Sequence, residues 1–364
     1  MKKILVLVEN YPDNKGGVSL MYVHVRNKYY IQHGIDVTVL SFATKTDYVI
    51  DNIRVITEAT YLKKNTEHYD MVVSHAANIK NHYRFLKKNE KKFEHMIFFF
   101  HGHEIVMINE VYPKPYDYMR KNNQIKIWIQ NIYDKFKLLL WHKFYKKMAY
   151  KTDFVFVSSF LYSEFKKYVR LSTDDLKEHV HIINNSVGKI FEENSYLYEK
   201  EKEYDFITIR NNMDSSTYCI DLICQLAKCN PGYKFLIIGR GEIFNHIKKP
   251  KNITWINKFL SHEEMLKYIN KAKFALMLTK RDTQGVMSCE LRTYGIPLVT
   301  SDLPICREIF DKISNVVYID NNKVNEIDLK EVCKNIISIK EKEKLKRFNY
   351  QNTVKKEEDL ILER

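Results

Sequence analysis

No stretch of the 364-residue sequence carries the roughly 20 consecutive apolar residues that a helix needs to cross a bilayer, so no membrane-spanning segment is expected. The first residues, MKKILVLVENYP, pair two lysines with an apolar run in the manner of a secretion signal. That run is only about five residues against the roughly 7–15 of a signal's apolar region, and acidic Glu9 follows it, so it reads as a first β-strand. The six cysteines (Cys219, Cys224, Cys229, Cys289, Cys306 and Cys333) contain no C-x-x-C pair, which argues against a zinc ribbon. None lies in the first half of the chain, which argues against a disulfide framework and for a reducing, cytoplasmic setting. There is no G-x-G-x-x-G dinucleotide fingerprint, and no helix-turn-helix or RNP motif.

What is present is an ordinary globular composition with 45% apolar residues and a length that suits two domains. The formal net charge of +14 favours an anionic partner: nucleic acid, a membrane surface or an anionic substrate. Nucleic acid has only the charge behind it. Richness in lysine, asparagine, isoleucine and tyrosine can equally reflect a genomic base bias.

The first half of the chain reads as alternating strands and helices. Lys3 to Val8 is a continuous apolar strand of the kind buried on both faces of a parallel sheet. A loop with Gly16-Gly17, a helix from about Val18 to His33 closed by Gly34, and a strand from Asp36 to Phe42 complete a βαβ unit. Further strands are expected at Ile53–Ile56, Tyr69–His75, Met96–Phe100, Phe154–Ser159 and His179–Ile183, and Lys80–Lys92 is a basic amphipathic segment. His101-Gly102-His103-Glu104 follows the Met96–Phe100 strand directly. Two histidines at i, i+2 without a third ligand are a poor zinc site, so no metal is expected. His75 reads as a structural loop residue.

The polar run Glu192 to Glu203 is a linker candidate, and strands then recur at Phe206–Arg210, Lys234–Ile238 and Ile253–Trp255. Ser261 with Glu264 opens a helix through a capping box. The most informative stretch is Arg281 to Pro304. The run Phe274–Leu278 is a buried strand, Asp282 lies in the loop at its carboxyl end, and Gly285 lets the backbone turn. A helix from Val286, with Val286, Cys289, Leu291 and Tyr294 as core positions, is stopped by Gly295. In an open α/β sheet, ligands sit beyond the carboxyl ends of the strands. Asp282 belongs there, and Glu290 can face the same place.

Asp282 and Glu290, eight residues apart with Gly285 between them and Gly295-Ile296-Pro297 after, resemble the E-x7-E region of retaining GT-B glycosyltransferases. The resemblance implies an α/β chain of two doubly wound, Rossmann-like domains facing each other across a cleft. It places an acceptor-side domain at 1–188, a donor domain at 203–340 and a helical tail at 341–364, whose charged residues read as a solvated face. Asn184-Asn185-Ser186-Val187 resembles the family's linker motif, with Ser186 in the usual glycine's place.

The resemblance also implies roles. Asp282 holds hydroxyls of the donor sugar and Glu290 those of the ribose. Arg210 contacts the donor diphosphate, and His101, ahead of His103, approaches the sugar or the acceptor. Gly16, Gly17, Gly239, Lys280, Arg281, Gly285, Val286 and Met287 complete the donor-binding set. A growing diphosphate charge calls for cations and N–H dipoles. The lysine usual in the family is missing, with Ser215 and Ser216 in its place, and Lys280, Arg281 or Arg240 are the candidates to replace it. No D-x-D motif is present, so the reading needs no metal or other cofactor.

The implied reaction transfers a hexosyl or N-acetylhexosaminyl group from a nucleotide sugar to a glycan or lipid-linked acceptor, with retention. A nucleotide-sugar 2-epimerase and an inactive GT-B scaffold are the rival readings.

Between Asp117 and Lys151, Ile125, Trp128, Ile129, Ile132, Phe136, Leu139, Leu140, Phe144 and Met148 recur at helical spacing among lysines. The first expectation is a helix whose apolar stripe packs on the N-terminal sheet. The alternative is an interfacial helix, with 118–151 lying on an anionic membrane.

Overall fold

The computed structural model describes residues 2–13, 19–63, 67–119, 124–336 and 344–364. The chain divides into two compact units. One comprises Met1–Ile108, Ile125–Ser186 and Tyr350–Arg364, the other Asn109–Gln124 and Val187–Asn349. Gly16, Gly17 and Val18 lie outside the described residues, as do 120–123 of the long basic segment.

The first unit is built on strands β1 (Lys3–Val8), β2 (Asp36–Ser41), β3 (Tyr48–Ile50), β4 (Ile53–Ile56), β5 (Met71–His75), β6 (His95–Phe100), β7 (Thr152–Phe156) and β8 (Val180–Ile182). They form one sheet in the order β3-β4-β2-β1-β5-β6-β7-β8, parallel throughout except for the β3–β4 pair. The central strands are buried along nearly their whole length, which is why they read as unbroken apolar runs. The helix after β1 runs Met21–Gln32 and starts later than the pattern suggests, because Leu20 adopts a left-handed conformation just before it.

That helix buries polar side chains, and the reason lies far away in sequence. Arg26 Nε donates to both carboxylate oxygens of Glu357 at 2.9 and 3.0 Å, and its Nη2 donates to Asn185 Oδ1 at 2.7 Å. The Tyr30 hydroxyl donates to Glu357 Oε2 at 2.6 Å. Glu357 belongs to a closing helix, Val354–Glu363, whose Val354, Leu360 and Ile361 join the core beside Val23 and Tyr30. The expectation of a solvated charge run therefore fails here, since Glu357 and Glu358 are both buried. A desolvated ion pair holds only when its remaining donors and acceptors are met, and Asn185 and Tyr30 meet them.

A second correction concerns the helix Gln124–Met148. At about 100° per residue, Ile125, Trp128, Ile129, Ile132, Phe136 and Leu139 share one face. That face is exposed, with Ile125 at 67%, Trp128 at 64% and Phe136 at 55%. The opposite face packs instead, through Asp134, Lys137, Leu138, Trp141, Tyr145 and Met148. Its two charges are matched. Lys137 Nζ donates to Asp134 Oδ1 (2.8 Å) and to the carbonyls of His103 (3.1 Å) and Val106 (3.0 Å), while Asp134 Oδ2 accepts the Ile108 N–H at 2.8 Å.

The second unit carries β9 (Tyr204–Asn212), β10 (Phe235–Arg240), β11 (Ile253–Ile256), β12 (Ala272–Met277), β13 (Leu298–Ser301) and β14 (Val316–Ile319). They form a wholly parallel sheet in the order β11-β10-β9-β12-β13-β14. The capping box is as expected: Ser261 Oγ accepts the Glu264 N–H (3.2 Å), and the Glu264 carboxylate accepts the Ser261 N–H (3.0 Å). The helix Val286–Tyr294 is bounded by Gly285 (φ 73°) and Gly295 (φ 110°). Cys289, Leu291 and Tyr294 are buried as expected, whereas Val286, the first residue after the glycine turn, stays half-exposed.

The stretch 192–203 is not a free linker. Tyr196 is buried, its hydroxyl donates to the Ala272 carbonyl at 2.6 Å, and the Tyr198 hydroxyl donates to the Gly295 carbonyl at 2.7 Å.

Candidate functional site

β9 and β12 are neighbours at the centre of the second sheet, so their carboxyl ends bring together residues some 70 positions apart. Arg210, near the end of β9, reaches across and donates from Nη2 to the carbonyl of Leu278, just beyond β12, at 2.8 Å. Its guanidinium lies 4.6 Å from the centre of the Tyr218 ring. The side chain is 7% exposed, and its Nε has no hydrogen-bond partner among the described residues. Burial pulls the guanidinium's pKa down, and the nearby Asp282 carboxylate opposes the shift. A buried guanidinium with an unused N–H is primed for an anion.

Asp282 is held by its own turn. Its Oδ1 accepts the N–H groups of Thr283 (2.8 Å) and Gln284 (3.2 Å). A Cβ at Gly285 would stand 3.0 Å from Asp282 Oδ2, so the glycine serves both the left-handed turn and the folded-back carboxylate. Val286 and Met287 are half-exposed at the start of the following helix.

Glu290, about one turn into that helix, is 6% exposed, and its Oε1 accepts the Gly188 N–H at 3.2 Å. Burial pushes its carboxyl pKa up to about 7. Gly188 approaches closely enough that a Cβ would lie 3.2 Å from His262 Cε1 and 3.5 Å from Glu290 Oε1.

The other expected donor residues are accounted for as follows. Lys280 Nζ pairs with Asp221 Oδ2 at 3.0 Å. Arg281 is buried, with its guanidinium 5.0 Å from the centre of the Tyr112 ring. Ser216 is buried at the start of the turn carrying Tyr218. Arg240 stacks on Phe259 at 4.4 Å. Gly239 is required by packing, because a Cβ there would fall 1.8 Å from the Arg210 carbonyl oxygen.

In the first unit, His101 follows β6, and its backbone N–H is held by the Glu104 carboxylate, which also accepts the Gly102 N–H at 3.0 Å. His101 Nε2 lies 3.1 Å from His75 Nδ1, so one ring donates and the other accepts. Burial pushes both imidazoles well below the usual histidine range, and the two rings together hold one shared hydrogen bond as neutral groups. His75 is thus the buried last residue of β5 and fixes the His101 ring, where the sequence reading had a loop residue. His103 is exposed. Tyr218, Gly188, His262 and the tyrosines Tyr112 and Tyr116 were missed. Of these only the tyrosine content of 112–118 left a trace in the sequence.

No protein-family model matches the sequence, and no curated protein matches it. Solved structures do match over nearly the whole chain. Sucrose-phosphate synthase from Thermosynechococcus elongatus is 10% identical, with coverage of 100% of this chain and 99% of that one and a TM-score of 0.70. An alpha-glucosyltransferase in complex with UDP and a 13-mer DNA is 12% identical, with 100% of both chains covered and a TM-score of 0.61. WaaG, a glycosyltransferase involved in lipopolysaccharide biosynthesis, is 11% identical, with coverage of 98% and 99% and a TM-score of 0.62. The two parallel-sheet units therefore constitute a GT-B fold. Among the described residues no helix is long and apolar enough to cross a membrane.

Proposed function

We propose that this protein is a glycosyltransferase that moves a hexosyl or N-acetylhexosaminyl group from a nucleotide sugar to an acceptor hydroxyl of a surface glycan or lipid-linked saccharide, with retention. The observation that carries the reading is Arg210: a buried, under-bonded guanidinium beside Asp282 at the carboxyl ends of β9 and β12. In this reading Arg210 takes the diphosphate as its charge grows, Asp282 holds the sugar, and Glu290 accepts hydrogen bonds from the ribose. Gly16 and Gly17 are proposed to approach the donor or acceptor through backbone N–H groups, and His101 serves as a neutral polar group toward the sugar. No metal is required by this scheme. The UDP bound by the alpha-glucosyltransferase of like fold supports a uridine nucleotide as the first donor to try.

A panel of UDP-, GDP- and ADP-sugars, read by thermal stabilisation and by hydrolysis, tests the proposal. One class of donor should raise the melting temperature and be slowly hydrolysed, and Glu290→Ala should lose both signals. A panel without any response in the unaltered protein sinks the enzyme reading and leaves an inactive scaffold, to which the absence of a lysine at Ser215 or Ser216 already points. Release of an epimerised free sugar would instead identify a 2-epimerase.

The exposed stripe Ile125–Leu139 supports a second element of the reading, peripheral docking on an anionic membrane at the cytoplasmic face. An aromatic and aliphatic face flanked by Lys126, Lys135 and Lys143 suits the headgroup boundary. Sedimentation with vesicles containing phosphatidylglycerol should show binding that high salt weakens, and that Trp128→Ser with Phe136→Ser reduces by about tenfold or more. Salt-independent self-association of the protein, lost in the same variant, would assign the stripe to a second copy instead.

A further inference from the structure

Glu290 shares its corner of the second unit with a glycine and a histidine, Gly188 and His262. Gly188 stands before the short helix Lys189–Glu193 with φ −64° and ψ 137°, angles open to any residue. Glycine is needed there for space and not for backbone freedom. A Cβ would stand 3.2 Å from His262 Cε1, 3.4 Å from the Phe191 ring and 3.5 Å from Glu290 Oε1. The bare backbone lets the imidazole and the carboxylate both press against one peptide. His262 begins the helix His262–Ile269 after β11, and Glu290 lies about one turn into the helix after β12. Helices that follow strands of a parallel sheet begin at the strands' carboxyl ends, so both side chains belong to the end of the sheet where ligands sit.

Neither side chain has its hydrogen-bonding capacity filled. Among the described residues the buried Glu290 carboxylate takes one hydrogen bond, from the Gly188 N–H to Oε1, and Oε2 takes none. His262 meets the Phe191 ring edge-on, with centroids 5.3 Å apart, and among the described residues neither ring nitrogen has a hydrogen bond. Cε1 lies between those two nitrogens, so the nitrogen-bearing edge of the imidazole is the one turned toward Gly188. Burial lowers the His262 pKa, so at neutral pH the ring is uncharged and carries one donor and one acceptor. An idle carboxylate oxygen beside an uncharged imidazole suits a vicinal diol. The carboxylate accepts from one hydroxyl, and the imidazole N–H donates to the oxygen of the other.

We propose that His262 is a specificity-determining residue that clasps the two ribose hydroxyls of the donor nucleotide together with Glu290, and that Gly188, having no side chain, is what admits it. The inference rests on the glycosyltransferase reading given above, which gives the ribose to Glu290 alone.

Calorimetry on the full chain compares UDP, 2′-deoxy-UDP, 3′-deoxy-UDP and inorganic pyrophosphate, with the same analogues of GDP or ADP if one of those carries the donor. In the unaltered protein each deoxy analogue should bind about tenfold more weakly than the parent nucleotide, the worth of one hydrogen bond. His262→Phe keeps a ring beside Phe191. It should weaken the parent nucleotide about tenfold and abolish the penalty of one deoxy analogue while leaving that of the other. His262→Gln, which again offers a donor and an acceptor, should recover most of the affinity. Pyrophosphate has no diol and should bind every variant alike. The donor KM should rise about tenfold in His262→Phe with kcat within about twofold, as for a contact made equally in the ground and transition states. Gly188→Ala, whose backbone angles suit alanine, should reproduce the His262→Phe loss.

If the nucleotide binds and turns over normally while His262→Phe matches the unaltered protein, the clasp is overturned and the enzyme reading stands. A loss of affinity that leaves both deoxy penalties in place also overturns it, since His262 would then be a structural support. If the unaltered protein binds neither UDP, GDP, ADP nor pyrophosphate, both readings fall together.

Discussion

Arg210→Met should cost about 100- to 1,000-fold in turnover, the loss typical of removing one preorganised donor from a developing oxyanion, without lowering the melting temperature. The two halves of this expectation come from the same geometry. Arg210 is almost fully buried, its Nη2 is satisfied by one backbone carbonyl, and its Nε has no hydrogen-bond partner among the described residues. Among the described residues no carboxylate grips it through paired hydrogen bonds, as Glu357 grips Arg26 in the first unit. Replacing such a desolvated cation with an unbranched apolar side chain of similar reach is neutral or stabilising in general. Tyr218 keeps an apolar neighbour in the methionine variant. Activity should suffer because the unused donor is what the leaving diphosphate would engage. Thermal unfolding and donor turnover measured on one preparation decide the matter. A variant that melts several degrees lower yet turns over donor normally would make Arg210 a structural residue and remove the main support of the functional proposal.

The second large effect is a pH dependence centred on Glu290. Its carboxyl titrates at about 7 in the folded chain because burial penalises the charge, with only the Gly188 N–H in opposition. Ribose hydroxyls donating to the carboxylate favour its ionised form, so nucleotide binding should release a proton. UDP affinity should therefore be level above about pH 7 and fall by up to tenfold per unit below it. Glu290→Gln should bind weakly at every pH and show no slope.

A ligand-free readout accompanies this. Between pH 4.5 and about 7 the unfolded chain has lost the Glu290 proton while the folded chain keeps it. The folded state then binds more protons, and stability falls as pH rises through that window, by about 3 kcal/mol in all. The stabilisation is complete below the unfolded value and gone above the folded one. Denaturant titrations at pH 5 and pH 8, compared between the unaltered chain and Glu290→Gln, isolate that contribution. A flat difference between them would mean that the carboxyl is not desolvated.

The parts of the molecule governed by local rules were legible beforehand. Strands buried on both faces appear as short apolar runs, so β1 and β4 fall where the pattern puts them. The box at Ser261 and the stop at Gly295 depend on a few adjacent residues and were read correctly. Illegible parts depend on partners distant in sequence. The helix Gln124–Met148 presents an apolar face that any periodicity argument turns inward. It is turned outward because Asp134 and Lys137 find matched partners in each other and in the backbone of 103–108. Polar residues can occupy the buried side when every donor and acceptor is satisfied, and nothing in a single helical window reveals that. His75 likewise gains its meaning only from the register that sets β5 beside β6. The chemistry at Asp282 and Glu290 was visible through spacing, whereas their companions Tyr218, Gly188 and His262 converge only in the folded chain.

The closing helix Val354–Glu363 has an implication for the order in which the protein assembles. Synthesis delivers the first sheet early, but Val354, Leu360 and Ile361, and the carboxylate that neutralises Arg26, leave the ribosome only after the entire second unit. Until then the nascent N-terminal half carries an uncompensated internal cation and a bare apolar seam along Met21–Gln32. Completion of the first unit therefore waits on the second, and chaperone dependence should track the interval between the emergence of Arg26 and that of Glu357.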